Sequence, residues 1–277
     1  MEIIYNVIET ILPFSFMEYE FMKNAFLALV IIAPLFGIVG TMIVNNKMSF
    51  FSDALGHSAL TGIALGAVIG VSNYSISMII FAIIFALLLN YIKNKKTAST
   101  DTIISVFSSS AVAIGLMLMS KNGGINKYSQ YLIGDILSVT IEEILLLFAI
   151  LVITIAIWFK LCNKLVLTST NRTLAKSKGI NVTLVENLFG VLIAVIVMLT
   201  IKWVGILLIN ALLILPAAAS RNISKNMREY TLYSILISLF SGVFGLILSF
   251  IFEIATGPAI VVISAVIFFV TFVFRRK

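Results

Sequence analysis

Apolar residues run through this chain in long blocks broken by short polar stretches. A helix needs roughly 20 residues to cross the hydrocarbon core of a bilayer. By that ruler the pattern predicts segments at 21–44, 54–72, 74–92, 101–119, 140–162, 184–201, 203–219, 230–252 and 258–274, nine in all. Only Lys202 separates the sixth from the seventh. Two crossings cannot reverse in one residue, so one or both of those helices is short, broken or re-entrant, and eight crossings is the alternative count.

Composition agrees with the pattern. Of 277 residues, 61% are hydrophobic and 11% charged, whereas a soluble domain carries about a quarter charged and about half apolar residues. Such a chain cannot cover a soluble surface. Twenty-one Phe and ten Met in long runs also disagree with a membrane barrel, whose strands turn every second residue to a polar lumen. The fold class is therefore all-α, a polytopic helical membrane protein with 8–9 transmembrane helices in contact with lipid. It reads as a single transmembrane domain over 1–277, with no internal repeat. Within it, 1–20 is expected to be an interfacial N-terminal segment: Met1 to Met17 holds Glu2 and Glu9 but no Lys or Arg, unlike the basic start of a secretory signal.

The net charge of +7 does not point to nucleic acid, because the cations sit between apolar runs and not on one face of a folded domain. Short loops rich in Lys and Arg stay on the cytoplasmic side. With nine spans and the C-terminus cytoplasmic, the inner loops receive Lys47; Lys93, Lys95 and Lys96; Lys160, Lys164, Arg172, Lys176 and Lys178; Arg221, Lys225 and Arg228; and Arg275, Arg276 and Lys277. That is fifteen of nineteen cations. Lys23, Lys121, Lys127 and Lys202 remain outside, with Glu2, Glu9, Glu18 and Glu20. The N-terminus is thus expected outside. Residues 163–183 form the longest expected connection, with basic residues and no acid, and read as a solvated cytoplasmic loop or a docking element.

Ionisable groups within apolar helices are rare because burying them is expensive, so each is a functional candidate. The leading one is Asp53-Ala54-Leu55-Gly56-His57, which contains the chain's sole histidine. Four residues apart on a helix, the carboxylate and imidazole share one face, where both can bind one divalent cation. The plainer alternative is that Asp53 caps the helix and His57 is a satisfied interior group. Ser58, Gly62, Gly66 and Gly70 make a small-residue stripe one position round from that face, which lets helices pack closely. Asp101 and Glu253 are weaker metal candidates; a helix cap describes Asp101 as well, and an interfacial acid describes Glu253. Asp135 belongs to an outer connection. The single Cys162 cannot form an intrachain disulfide or a cysteine cage and reads as packing. One histidine cannot make a His-Glu-x-x-His zinc site, no P-loop is present for ATP, and Gly134-Asp135 lacks the second Asp motif of an intramembrane aspartyl protease.

These residues resemble the membrane permeases of zinc/manganese/iron ATP-binding-cassette importers over nearly the whole chain after residue 20. Gly37-Ile38-Val39-Gly40 followed by Lys47-Met48-Ser49-Phe50-Phe51-Ser52-Asp53-Ala54-Leu55-Gly56-His57-Ser58-Ala59-Leu60-Thr61-Gly62 is similar to that family's G-x-x-G … R-M-S-F-x-x-D-A-L-S-H-x-x-L-P-G. Asp101-Thr102-Ile103-Ile104-Ser105-Val106-Phe107-Ser108-Ser109, Tyr131-Leu132-Ile133-Gly134-Asp135-Ile136-Leu137 and the stretch from Val204-Gly205 to Ser220-Arg221 follow in the family's order. Leu174-Ala175-Lys176-Ser177-Lys178-Gly179-Ile180-Asn181 resembles its coupling segment. Two departures stand out: Asn171 and Thr173 replace acids common before that segment, and Thr61 stands where many members have Pro.

The resemblance implies a fold similar to the cobalamin/siderophore-type importer permeases and a multi-pass protein of the cell membrane. It implies a transport subunit and not an enzyme, importing Zn2+, Mn2+ or Fe2+ by alternating access in a homodimer, with no tightly bound cofactor. The partners implied are a cytoplasmic ATP-binding subunit, docked at Ala175, Lys176, Lys178 and Gly179, and an extracellular metal-binding protein. Asp53 and His57 would be the metal ligands. Two other readings fit the spans: a permease for a metal chelate such as a siderophore, which the Asp53/His57 pair disfavours, and a secondary transporter coupled to protons or sodium through Asp53.

Overall fold

The computed structural model describes residue 5 and residues 19–71, 73–95, 98–121 and 129–275. The segment expected to be interfacial over 1–20 lies almost wholly outside the described residues, as do Glu2, Glu9, Glu18, Lys96, Lys127, Arg276 and Lys277.

The helices in chain order are α1 (Glu20–Asn45), α2 (Ser49–Ile69), α3 (Tyr74–Asn94), α4 (Thr100–Lys121), α5 (Ser129–Ile133), α6 (Ile141–Thr170), α7 (Arg172–Ser177), α8 (Val182–Val204), α9 (Ile206–Ile223), α10 (Met227–Ile251) and α11 (Thr256–Val273). Among the described residues, eight helices are long and apolar enough to cross a membrane: α1 to α4, α6, α8, α10 and α11. The remaining predicted segment, the seventh at 203–219, is α9, a shorter apolar helix that contains Pro216. Only Gly205 separates it from α8, with φ 87° and ψ 149°, a backbone region essentially reserved for glycine. The crowded junction at Lys202 therefore resolves as a helix break.

Residues 163–183 are mostly helical, a correction to the expected loop. α6 continues to Thr170 because Leu161, Leu165 and Thr168 recur at helical spacing and are buried. Lys160 and Lys164 ride on the same helix. α7 then occupies Arg172–Ser177, and α8 begins at Val182.

The chain divides into two compact units. One comprises Met42–Ile133 and Thr154–Asn210 and is called central below; the other comprises Met1–Thr41, Gly134–Ile153 and Ala211–Lys277 and is called terminal.

In the central unit α2 is wrapped by neighbours, which is why the least apolar of the spans is a core helix. A Cβ on Gly62 would lie 2.8 Å from Met78 Cα, and one on Gly66 would lie 2.8 Å from Ser77 Cβ. The Ser77 hydroxyl donates to the Gly62 carbonyl at 2.6 Å. This part of the small-residue stripe seats α3. Gly70 does not belong to it: at φ 80° it ends α2, with nothing near its absent Cβ. On another face the Thr61 hydroxyl donates to the Ala111 carbonyl of α4. There a Cβ on Gly115 would lie 2.9 Å from the Thr61 nitrogen.

In the terminal unit the Gly37-x-x-Gly40 pair serves two different helices. A Cβ on Gly37 would lie 2.8 Å from Ile235 Cα of α10, and one on Gly40 would strike the Leu213 carbonyl of α9. Ser234 donates to the Gly37 carbonyl at 3.0 Å, sealing the first approach. Gly245 gives α11 the same access to α10 at Ile260. Asp135 is spent locally, accepting the Leu137 N–H at 3.0 Å.

Candidate metal site and coupling helix

The chain enters α2 through a reversal. Met48 N–H donates to the Ile43 carbonyl at 2.8 Å and Lys47 N–H to the Val44 carbonyl at 3.2 Å, with Lys47 at φ 55°. This double closure terminates α1 and starts α2 at Ser49, with Met48 as its N-cap. Asp53 is therefore not a cap: it lies one turn inside the helix, and His57 lies one turn further.

The two side chains meet on one face, with His57 Nε2 3.7 Å from Asp53 Oδ1. They keep 35% and 43% of their exposure respectively, which rules out an enclosed interior histidine. Both open into a cavity of about 580 Å³ whose other walls are Phe50 and one face of α4: Ile104, Ser105, Ser108, Ser109, Val112, Ala113 and Leu116. The face closes at the next turn, where Thr61 is 2% exposed against α4. α2 runs on to Ile69, and Thr61, standing where many members of the resembled family have proline, supplies this tie.

Behind the pair stands a residue the sequence reading did not select. Asn210, on the first turns of α9, donates through Nδ2 to Asp53 Oδ1 at 3.2 Å and accepts from Ser52 Oγ at 2.6 Å. A lone amide in the apolar run Ile206-Leu207-Leu208-Ile209-Asn210 was the available signal. Nothing local tied it to Asp53. The hydroxyls of Ser105, Ser108 and Ser109 were likewise missed.

Asp101 and Glu253 are not among the cavity's lining residues. Asp101 is exposed in the first turn of α4, where the cap is the Ser99 hydroxyl, which accepts the Thr102 N–H at 3.2 Å. The capping expected of Asp101 is thus performed two residues earlier. Glu253, in the terminal unit, is exposed at φ 52° in the turn between α10 and α11. Among the described residues no three His, Cys, Asp or Glu side chains cluster as a metal cage.

The segment 171–181 is closed at both ends. Asn171 accepts the Leu174 N–H at 3.0 Å, and an asparagine caps as well as an aspartate would, so the departure there is conservative in effect. At the other end Ile180 N–H donates to the Ala175 carbonyl at 3.0 Å and Gly179 N–H to that of Lys176 at 2.9 Å, with Gly179 at φ 76°. This is a Schellman closure. Asn181 then caps α8 through the Leu184 N–H. Ala175 is fully buried, whereas Lys176, Lys178 and Gly179 are exposed. Arg172 forms an ion pair with Glu186 of α8, a residue only 8% exposed, and Asn90 of α3 donates to the Glu186 carbonyl at 3.2 Å. Arg172 also donates to Asn94 Oδ1 of α3 at 3.4 Å, so the short helix is fastened to both spans.

A model of the ABC 3 transport family matches residues 18–275. The manganese import system permease protein ScaB of Streptococcus gordonii is 31% identical over 263 residues, covering 94% of this chain and 93% of that protein. The high-affinity zinc uptake system membrane protein ZnuB of Haemophilus influenzae is 28% identical over 260 residues, covering 94% and 99%. Among solved structures, PsaBC from Streptococcus pneumoniae in complex with Fab aligns over 98% of this chain and 95% of that one, at TM-score 0.82 and 26% identity. A metal-chelate type ABC transporter in an inward-facing conformation aligns over 90% and 84%, at TM-score 0.71 and 16% identity, a likeness of fold.

Proposed function

We propose, from the premise that this chain belongs to the ABC 3 transport family as a multi-pass metal-import permease subunit, that its cargo is a bare divalent transition-metal ion held in passage by Asp53 and His57. The carrying observation is their placement, 3.7 Å apart and open to one cavity. Two donors each about 2.1 Å from a tetrahedral ion lie about 3.4 Å apart, so a shift of a few tenths of an ångström seats a cation between them. An oxygen and an imidazole nitrogen suit Mn2+, Zn2+ and Fe2+ alike. A site short of a full cage also favours release, which transport requires.

Two copies of the chain would enclose the pathway and open it to one side at a time. An ATP-binding subunit in the cytoplasm would drive the change through α7, docking on Lys176, Lys178 and Gly179, while Ala175 holds the helix from within. An extracellular metal-binding protein would load the ion, with the N-terminus outside and the C-terminus cytoplasmic at the cell membrane, an arrangement in which the shorter α9 serves as the ninth crossing. Family membership leaves no need for a proton- or sodium-coupled carrier, and a carboxylate–imidazole pair suits an ion better than a chelate.

Metal uptake into vesicles holding this chain with its ATP-binding subunit, loaded by the external protein, tests the reading. Asp53→Ala and His57→Ala should each reduce Mn2+ and Zn2+ uptake at least tenfold. Uptake at the normal rate in both variants would overturn it.

A further inference from the structure

Asp53 does not stand alone behind the cavity. Its Oδ1 receives the Asn210 amide at 3.2 Å, and the other end of that amide receives the Ser52 hydroxyl at 2.6 Å. The chain of bonds fixes which way the amide points. The reverse orientation would set the amide oxygen against a carboxylate oxygen, acceptor against acceptor, so Nδ2 faces Asp53 and Oδ1 faces Ser52. Asn210 therefore cannot offer its oxygen to an ion at Asp53 while this arrangement holds. It acts on the carboxylate.

The backbone is arranged to bring it there. α9 starts afresh after Gly205, and its first turn lies against α2 where Gly56 has no side chain: a Cβ on Gly56 would be 3.5 Å from Ile209 Cγ2 and 3.7 Å from the Ile206 carbonyl. Asn210 follows Ile209 directly and so reaches Asp53, which sits three residues before Gly56. With 43% of its side chain exposed to the cavity, Asp53 has room to swing. The amide is a side-chain donor from another helix that pins it.

We infer that Asn210 is a positioning residue of the ion site, holding the Asp53 carboxylate beside His57 through a hydrogen-bonded chain that runs from Ser52. The inference rests on the proposal that Asp53 and His57 hold the ion. Groups that orient metal ligands are worth about tenfold or more in metal affinity when removed. Loss of this one should therefore appear in the concentration dependence of transport more than in its maximal rate.

The test uses the complete transporter in vesicles, with Mn2+ as the probe and initial uptake measured against Mn2+ concentration. Asn210→Leu, close in volume and unable to donate, should raise the half-saturating concentration about tenfold, with the maximal rate held within about twofold. Ser52→Ala should shift it the same way by about threefold, because the amide loses its anchor. The double variant should be no worse than Asn210→Leu alone, since residues acting as one chain are not additive. An unchanged half-saturating concentration in Asn210→Leu, or independent effects that multiply in the double variant, would overturn the inference. Should Asn210→Leu fail to accumulate, Ser52→Ala decides alone: no shift counts against the chain. Asp53→Ala and His57→Ala run alongside separate the two levels. If they abolish uptake while Asn210→Leu is normal, only the positioning role fails; if they transport normally, the ion site fails and this role with it.

Discussion

At the scale of single residues, a glycine on α4 sets how closely that helix meets α2 one turn beyond the site. Gly115 lets α4 approach α2 until its absent Cβ would be 2.9 Å from the Thr61 nitrogen and 3.0 Å from the Thr61 hydroxyl. Gly115→Val should force the two helices apart and destabilise the protein by about 1–3 kcal/mol. A thermal melt of the detergent-purified variant would show a lower midpoint; an unchanged midpoint would mean that the close approach is not maintained. Thr61→Val, nearly the same in volume, removes only the bond to the Ala111 carbonyl and should cost about 1 kcal/mol by the same melt. Asp53 and His57 were legible in the sequence because helical spacing is local: four residues suffice to put two side chains together. Asn210 was not, because its contact with Asp53 spans 157 positions and depends on how α9 is laid against α2. Gly70 misled for the opposite reason. Its spacing continues the Gly62–Gly66 stripe, yet it stands where the helix ends.

At the scale of elements, α7 has only six residues and would not persist alone, since isolated helices of that length are marginal in water. Its caps and the Arg172–Glu186 pair hold it. Asn171→Ala should loosen it by about 1 kcal/mol, and Gly179→Ala by about 1–2 kcal/mol, because φ 76° is unfavourable for alanine. Hydrogen exchange at the α7 amides would register faster opening in both variants, most at Leu174 in Asn171→Ala and at Ile180 in Gly179→Ala. Equal protection in variant and parent would remove the caps from the account. The sequence exposed this element only in outline. Its charge and glycine marked it, but the continuation of α6 through Thr170 was hidden because lysines on the exposed face of a long helix look like the start of a loop.

At the scale of the whole molecule, the eight long spans were plain in the sequence, since hydropathy over twenty residues needs no knowledge of neighbours. Which helices pair was not. Gly37 and Gly40 are three residues apart but receive α10 at Ile235 and α9 at Leu213, both far along the chain. The expected orientation remains open to a direct test. In a Cys162→Ala background a cysteine at Lys178 should react with a membrane-impermeant maleimide only in inside-out vesicles. Labelling from the outside of intact cells would invert the topology and remove α7 from reach of a cytoplasmic partner.

The break at Gly205 has an electrical side as well. Each helix end behaves as roughly half a charge, negative where a helix finishes and positive where one begins. α8 finishes at Val204 and α9 begins at Ile206, so a negative and a positive end stand back to back across one residue and largely cancel. An interruption of this kind creates neither a trap nor a barrier for a passing cation. The helix is cut within a few residues of Asn210 without setting an uncompensated helix end beside the Asp53 carboxylate that Asn210 holds.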